Sequence, residues 1–418
     1  MADKGTIVTF YSYNGGTGRT MAAANMACIL AANGHKVLLI DWNLESPGLH
    51  RYFRPFLADR DLMQTSGLID FACDAMTVGS GQLKQAPSLT SYVAAVDWKF
   101  SAAGSIDFIG AGRLDENYQR RVNTFKWQDF IERHGGNRLL DAERGKLKAK
   151  YDYILIDSRT GASDTSGVCT EQMPDLLVVP FTLNHQSIEG AVGAIASIWS
   201  RRSGLPVFPV PTRVEYGEHE KLSAALAFAR RAFSPFLLHV QSDRRAIDLN
   251  EQAPYWRDVE TPYVAYYAFE EILSVFKDES GSRRGLLATN ERLAFWITGR
   301  AIAPLRRDGN EDRKDVLEAF AFDQHRAVRV KQTKPPGPSV GRITVTRWLD
   351  RYRWKIAIAF AVLSVILALA LVRQNRLIYE LELDNLRLSQ SGRNSNSQQA
   401  PPPQNLVPLL PHPSCPDC

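Results

Sequence analysis

Cysteine is scarce in this chain. Five are spread over 418 residues, and three of them (Cys28, Cys73 and Cys169) fall in the stretch whose pattern reads as folded. Such spacing excludes a disulfide framework and fits a reducing compartment. The other two, Cys415 and Cys418, form a terminal CxxC with His412 nearby. That set is one ligand short of a four-coordinate zinc site, which leaves a local or interchain disulfide and an inert tail as readings. An excess of one charge sign is also lacking. A net charge of +5 with 23% charged residues is too mild to imply nucleic acid by itself, and 44% hydrophobic content is ordinary for a globular protein. The N-terminus has no apolar h-region and no small-residue cleavage site, so no secretory leader is expected.

Long apolar runs are missing except for one. Seventeen uncharged residues, nearly all apolar, lie between Lys355 and Arg373. This is the short end of a membrane span, and Lys355 can lengthen it by snorkelling. Apolar residues all round the helix and basic residues at both ends disfavour a buried core helix. Arg342, Arg347, Arg351, Arg353 and Lys355 precede the run, while Arg373, Arg376 and Arg387 follow it among Glu380, Glu382 and Asp384. The positive-inside rule therefore places the N-terminal side in the cytoplasm.

Apolar runs alternate with helical patterns from residue 6 to about 275. Strands are predicted at 6–11, 36–41, 106–110, 152–157, 175–181 and 206–212. The alternation predicts an α/β fold with a doubly wound, mostly parallel sheet. Five segments follow: a nucleotide-binding domain over 1–275, a helical extension over 276–331, a linker and basic juxtamembrane stretch over 332–353, a transmembrane helix over 354–373, and a short helix with a disordered tail over 374–418.

What is present points to phosphate. Residues 7–20 read IVTFYSYNGGTGRT, a β-rich run that enters a glycine turn and then a helix-like MAAANMACILAANG. Gly15, Gly16 and Gly18 allow backbone N–H groups to close on phosphate oxygens, and the helix N-terminus adds donors and dipole. In the general motif the cation meets the β- and γ-phosphates and the hydroxyl faces Mg²⁺, which places Arg19 and Thr20 in those roles. The loop has arginine where that motif has lysine, and Tyr13 where it has its first glycine. A second piece, HKVLLIDWNLESPGL, ends a buried strand on Asp41. Ligand sites in open α/β sheets lie at such carboxyl ends, where an acid can hold a metal-bound water. A third, YDYILIDSRTGASD, ends four apolar positions on Asp157, with Gly161 four residues on. That is a Walker-B layout, with the carboxylate supporting Mg²⁺ and the glycine N–H sensing the γ-phosphate. A glycine turn or a capping Asp explains each piece alone; their order, each after a strand, does not arise easily by chance.

With these motifs the chain resembles the ParA/MinD class of P-loop ATPases, and more narrowly the branch whose loop reads KGGVGRT. YDYILIDSRTG at 151–161 and DWNLESPGL at 41–49 match stretches common in that branch, and IGAGRLDENY at 109–118 and TPYVAYYAFEEIL at 261–273 are similar more weakly. The likeness covers about residues 5–275. It implies a P-loop NTPase fold with ATP and Mg²⁺ as cofactors. Asn14, Gly15, Gly16, Thr17, Gly18, Arg19 and Thr20 become the phosphate loop, with Thr20, Asp41 and Asp157 about the metal. Arg19, Asp41, Asn43 and Asp157 become the catalytic set, and Gly161, Asn184 and Arg213 complete the nucleotide contacts, the last two where relatives contact adenine. Two departures matter. Asn14 stands where the class has a lysine that reaches a dimer partner's phosphates, and an uncharged amide cannot stabilise developing charge in the same way. Asn43 stands where many relatives have an Asp that positions or activates water, and an amide orients water without taking its proton. Slow hydrolysis, or binding without turnover, is the expectation.

The resemblance implies an ATP switch, and the apolar run with its preceding basic residues places it on the bacterial inner membrane with the N-terminal domain in the cytoplasm. A homodimer and an unidentified protein partner are its expected associates, and a regulatory or antiphage-defence role is its expected setting. Alternatives are an ATP-binding scaffold without turnover, a bacterial tyrosine kinase and a DNA-partitioning ATPase. The tail beyond the span holds only Tyr379, against a kinase, and a tethered chain cannot move over DNA freely. Paired arginines at 120–121, 201–202, 230–231, 244–245, 283–284 and 306–307 keep DNA or anionic lipid as weaker partner readings.

Overall fold

Strict side-chain alternation explains how the sheet is built. In Lys36–Asp41, Val37 and Leu39 join one apolar cluster while Leu38 and Ile40 join another. In Tyr153–Thr160, Tyr153 and Leu155 face the first cluster and Ile154 and Ile156 the second. Period-two side chains that are apolar on both faces require cover on both faces, which is why these runs form interior parallel strands.

The computed structural model describes residues 5–78, 86–100, 102–161, 167–238, 252–278, 285–299, 301–305, 314, 316–320, 371, 373, 374 and 376. Its strands are β1 (Thr6–Ser12), β2 (Lys36–Asp41), β3 (Ala94–Ala95), β4 (Ser105–Ile109), β5 (Tyr153–Thr160), β6 (Leu176–Thr182) and β7 (Val207–Thr212). They form one seven-stranded sheet in the order β3-β4-β2-β5-β1-β6-β7. All neighbours are parallel except β3 and β4. Six of these strands fall where the hydrophobic runs predict them. The two-residue β3 is an antiparallel edge that Ala-Ala does not signal, and β5 continues three residues past its acid.

The helix α1 (Arg19–Ala32) starts directly from the glycine loop, with Gly18 at φ +81° as its N-terminal flank. A left-handed residue there is natural for glycine and costly for any other. On the same side lie α8 (Gln252–Val259), α10 (Ser274–Lys277) and α11 (Leu286–Ile297), counting helices along the chain after α2 (Leu68–Val78), α3 (Tyr118–Thr124), α4 (Trp127–Arg133), α5 (Gly136–Lys150), α6 (His185–Arg201) and α7 (His219–Leu238), with α9 at Ala265–Phe269. The Oδ1 of Asn25 in α1 accepts from both the backbone N–H and the hydroxyl of Ser274, each at 2.7 Å, which ties α10 to the loop helix. Phe320 packs on Phe56 and Phe276, so part of the expected extension joins the main core.

The chain divides into two compact units, 1–331 and 332–418. Among the described residues no helix is long and apolar enough to cross a membrane. The span expected at 354–373 lies outside the described residues save Leu371 and Arg373, which are helical with Gln374 and Arg376. The linker, the tail and the terminal Cys415 and Cys418 also lie outside them.

Candidate functional site

Parallel pairing brings the predicted motifs together at one sheet edge. The register sets Phe10 of β1 beside Asp157 of β5, and Asp41 of β2 beside Asp157 on its other side. The two acids therefore end adjacent strands side by side, under the loop that leaves β1. Both are fully buried.

Asp157 is held by the loop. Its Oδ1 receives Arg19 Nε at 2.6 Å and its Oδ2 receives the Thr20 hydroxyl at 2.7 Å. Arg19 also donates to Ser12 Oγ at 3.4 Å, and only 5% of its side chain is exposed. The guanidinium is thus turned inward as the counter-ion of a buried carboxylate, although it still lines the cavity above. The phosphate role expected of Arg19 requires that pair to open.

Asp41 is held by its own loop. Its Oδ1 accepts from Asn43 N–H at 3.1 Å, and its Oδ2 accepts from Gly48 and Leu49 N–H at 3.2 Å each. Burial and the neighbouring Asp157 carboxylate raise the Asp41 pKa, while the Leu49 and Asn43 N–H groups and Arg19 oppose the rise. The Asn43 side chain turns back to donate to Ser46 O at 2.7 Å. Glu45 of this loop pairs with Arg159 at the end of β5 at 2.6 Å, bridging the two acidic loops. Both groups are more than a third exposed, so the bridge contributes little energy but marks where the loops meet.

Above the acids lies a cavity of about 660 Å³. Gly15, Gly16, Thr17, Gly18, Arg19 and Thr20 line one part, with Asn43, Glu45 and Ser46 beside them. Among the described residues the buried Thr17 hydroxyl has no hydrogen-bond partner. The cavity continues along Met21 and Ala22 to Pro180, Val210 and Thr212 at the ends of β6 and β7. Arg213 lines it with backbone φ +54°, an uncommon conformation for a side-chain-bearing residue, and lies 5.8 Å over the Tyr263 ring. Thr261, Pro262 and Tyr263 form another wall, and Leu286, Asn290 and Leu293 of α11 complete it. Sequence reasoning did not single out these residues of 261–293 as site residues. The run 261–273 carried a weak family likeness, whereas nothing in the local pattern of α11 marks Asn290.

Other expected site residues sit elsewhere. Asn184 does not line this cavity; its side chain accepts from Ser187 N–H at 2.8 Å and caps α6. An Asn at a helix start has this strong local use, which satisfies an otherwise orphaned N–H. Asn14 is half-buried and outside the lining. Gly161 has φ +75°, and its N–H donates to Ser12 O at 3.2 Å, closing the end of β5 on β1. Tyr13 is 37% exposed, and its ring lies on Gly190 of α6, where an added Cβ would come within 2.2 Å.

The donor set suits a hard cation. The Thr20 hydroxyl and the carboxylates of Asp157 and Asp41 offer oxygen ligands, as Mg²⁺ prefers. Among the described residues no cluster of three or more His, Cys, Asp or Glu forms a protein-only metal cage, and Mg²⁺ bound with phosphates needs none.

No curated protein sequence matches the chain. Among solved structures it is similar to a putative plasmid partition protein of Borrelia burgdorferi bound to AMPPNP, with 22% identity over 54% of this chain and 83% of that one and a TM-score of 0.40. It is similar also to McdA of Cyanothece in complex with ATP, at 15% identity over 73% and 100% with a TM-score of 0.47. A third is the septum site-determining protein MinD of Pyrococcus horikoshii with Mg-ADP, at 18% identity over 71% and 98% with a TM-score of 0.41. The family model described as the CobQ/CobB/MinD/ParA nucleotide binding domain matches residues 8–251, more than half of the chain, and the chain belongs to that family.

Proposed function

We propose that this chain is a membrane-tethered ATP switch that hydrolyses ATP slowly with Mg²⁺. One observation carries the reading: the glycine loop at 14–20, Asp41 and Asp157 meet at the carboxyl ends of β1, β2 and β5 beneath one cavity. Family membership makes the ligand a nucleotide. Phosphate oxygens would lie over Gly15–Thr20, where the N-terminus of α1 offers free N–H donors and dipole. When bound, Mg²⁺ would neutralise phosphate charge, held by the Thr20 hydroxyl with Asp157 in support.

A switch follows from the pairing of Arg19. Arriving phosphates attract the guanidinium away from Asp157, which frees that carboxylate to act toward the cation. The Glu45–Arg159 bridge then lets a change at Asp157 reach the loop at 41–49. Asn43 orients water and accepts no proton, which sets the expected rate low. The membrane tether rests on the uncharged run between Lys355 and Arg373 and on the basic residues before it, with the nucleotide site on the cytoplasmic side. A regulatory or defence setting rests on the sequence resemblance. A second reading, binding without turnover, is favoured by the fixed Asn43 amide and by Asn14.

Two assays test this. Calorimetry should find ATP binding that weakens when Mg²⁺ is chelated. Phosphate release should rise in Asn43→Asp and fall in Thr20→Val. Equal background rates for wild type and Thr20→Val would remove hydrolysis and leave the scaffold reading.

A further inference from the structure

We propose that Arg159 is the group in the cavity that recognises the terminal phosphate of a nucleoside triphosphate, by exchanging the Glu45 carboxylate for it. This deepens the nucleotide reading above and rests on it. Neighbouring strands run in the order β2-β5-β1-β6-β7, and residues at or just beyond the carboxyl ends of all of them line the cavity. Its walls change character along that row. Met21, Ala22, Pro180, Val210, Leu286 and Leu293 make the β6–β7 end largely apolar, which suits the flat faces of a base. Asn43, Glu45 and Arg159 make the β2–β5 end polar and charged. A nucleotide laid over the glycine loop with its base at the apolar end therefore directs its last phosphate toward β2 and β5.

The cations of the cavity are not equivalent. Among the described residues they are Arg19, Arg159 and Arg213. Arg19 is the counter-ion of the buried Asp157 at 2.6 Å. Arg213 stands at the β7 end, over the Tyr263 ring. Arg159 stands at the β2–β5 end. Between the register pairs Phe10–Asp157 and Ser12–Thr160, β5 advances three residues while β1 advances two. An inserted residue of this kind makes a bulge, which re-aims side chains beside sites. Arg159 lies in that stretch and lines the cavity. It pairs with Glu45 at 2.6 Å, with both groups more than a third exposed. An exposed pair is weak. A phosphate offers the guanidinium charge-assisted, two-pronged hydrogen bonds and is the stronger partner. Glu45 lines the same end, so once the bridge opens its carboxylate would face the phosphate as a second anion. The loop at 41–49 that carries Glu45 is then displaced by a third phosphate and left in place by two. The charge that Asn14 lacks is supplied from within the chain, by β5.

The test is calorimetry with Mg²⁺ on the full-length chain in detergent, comparing ADP with AMPPNP, which keeps a third phosphate group and resists hydrolysis. Arg159→Met should weaken AMPPNP about tenfold, the worth of a charge-assisted hydrogen bond, and leave ADP unchanged. Glu45→Gln should act in the opposite direction, tightening AMPPNP several-fold by removing the competing carboxylate, again with ADP unchanged. A bridge that merely held the loops together would weaken both nucleotides in both variants, and that result would overturn the proposal. An unchanged ratio of AMPPNP to ADP affinity in Arg159→Met would overturn it as well. Failure of wild type to bind either nucleotide would be a different result, refuting the nucleotide reading itself and the proposal with it.

Discussion

Removing the Asp157 carboxylate should unfold more than it inactivates. Arg19 is 5% exposed and Asp157 fully buried, and their 2.6 Å contact is a buried ion pair. Asp157→Ala leaves a guanidinium without its anion, a change that typically costs about 3–5 kcal/mol. Thr20 also loses the acceptor of its hydroxyl. An opposing effect exists, because Asp41 no longer faces a second carboxylate and can pair with the freed cation. The low end, about 3 kcal/mol, is therefore the expected loss. Arg19→Met makes the reciprocal defect, leaving two buried carboxylates side by side with no cation. The two defects differ in their response to pH. Burial and the Asp157 carboxylate raise the Asp41 pKa to about 8 and Arg19 opposes the rise, so the loss from Arg19→Met should shrink as pH falls from about 9 to about 7, whereas the loss from Asp157→Ala should not, because arginine stays charged. Urea unfolding followed by tryptophan fluorescence at both pH values reads all of this. A cost below about 1 kcal/mol for Asp157→Ala at pH 7 would refute the buried pair. Equal pH dependence for the two variants would refute the carboxylate pairing.

Further outcomes follow from the same site. His50 is buried, its Nδ1 has no partner among the described residues, and burial with the charges of Arg51 and Arg54 lowers its pKa from 6.5 to about 4, against the pull of Asp61. Below pH 6.5 the unfolded chain takes up a proton that the folded chain refuses, so this group's share of stability falls as pH drops from 6.5 to about 4. His50→Gln should remove on the order of 3 kcal/mol of that acid-side loss, and an unchanged slope of stability against pH would contradict it. Gly18→Ala forces a side chain into φ +81° and should cost about 1–2 kcal/mol. Gly15→Ala meets nothing within 4 Å and should cost less than about 0.5 kcal/mol, so equal melting shifts would refute the backbone reading of the loop. Gly190→Ala should push the Tyr13 ring aside and weaken nucleotide binding several-fold, with unchanged affinity as the contrary result.

The strands of the core were legible because each is a short apolar run whose both faces must be covered, as Val37–Ile40 shows. The place of the two acids was legible for the same reason: each is the first polar residue after such a run. The direction in which Arg19 points was not, since a cation after a glycine loop can face a phosphate or a buried carboxylate, and only the register of β1 against β5 brings Asp157 within reach. Asn184 carried two compatible readings, a ligand contact and a helix cap, and the Ser187 N–H three residues on supplies the cap. Asn290 was invisible to local pattern because its place in the cavity wall depends on α11 packing beside α1, far away in sequence. The edge strand Ala94–Ala95 exists only by pairing with β4.

Amide hydrogen exchange with and without Mg-ATP tests the central claim most directly. Nucleotide bound across the cavity should slow exchange at 15–20, 43–49, 261–263 and 286–293 together, because these segments line one space. Protection confined to other segments, or no protection at saturating Mg-ATP, would contradict the site.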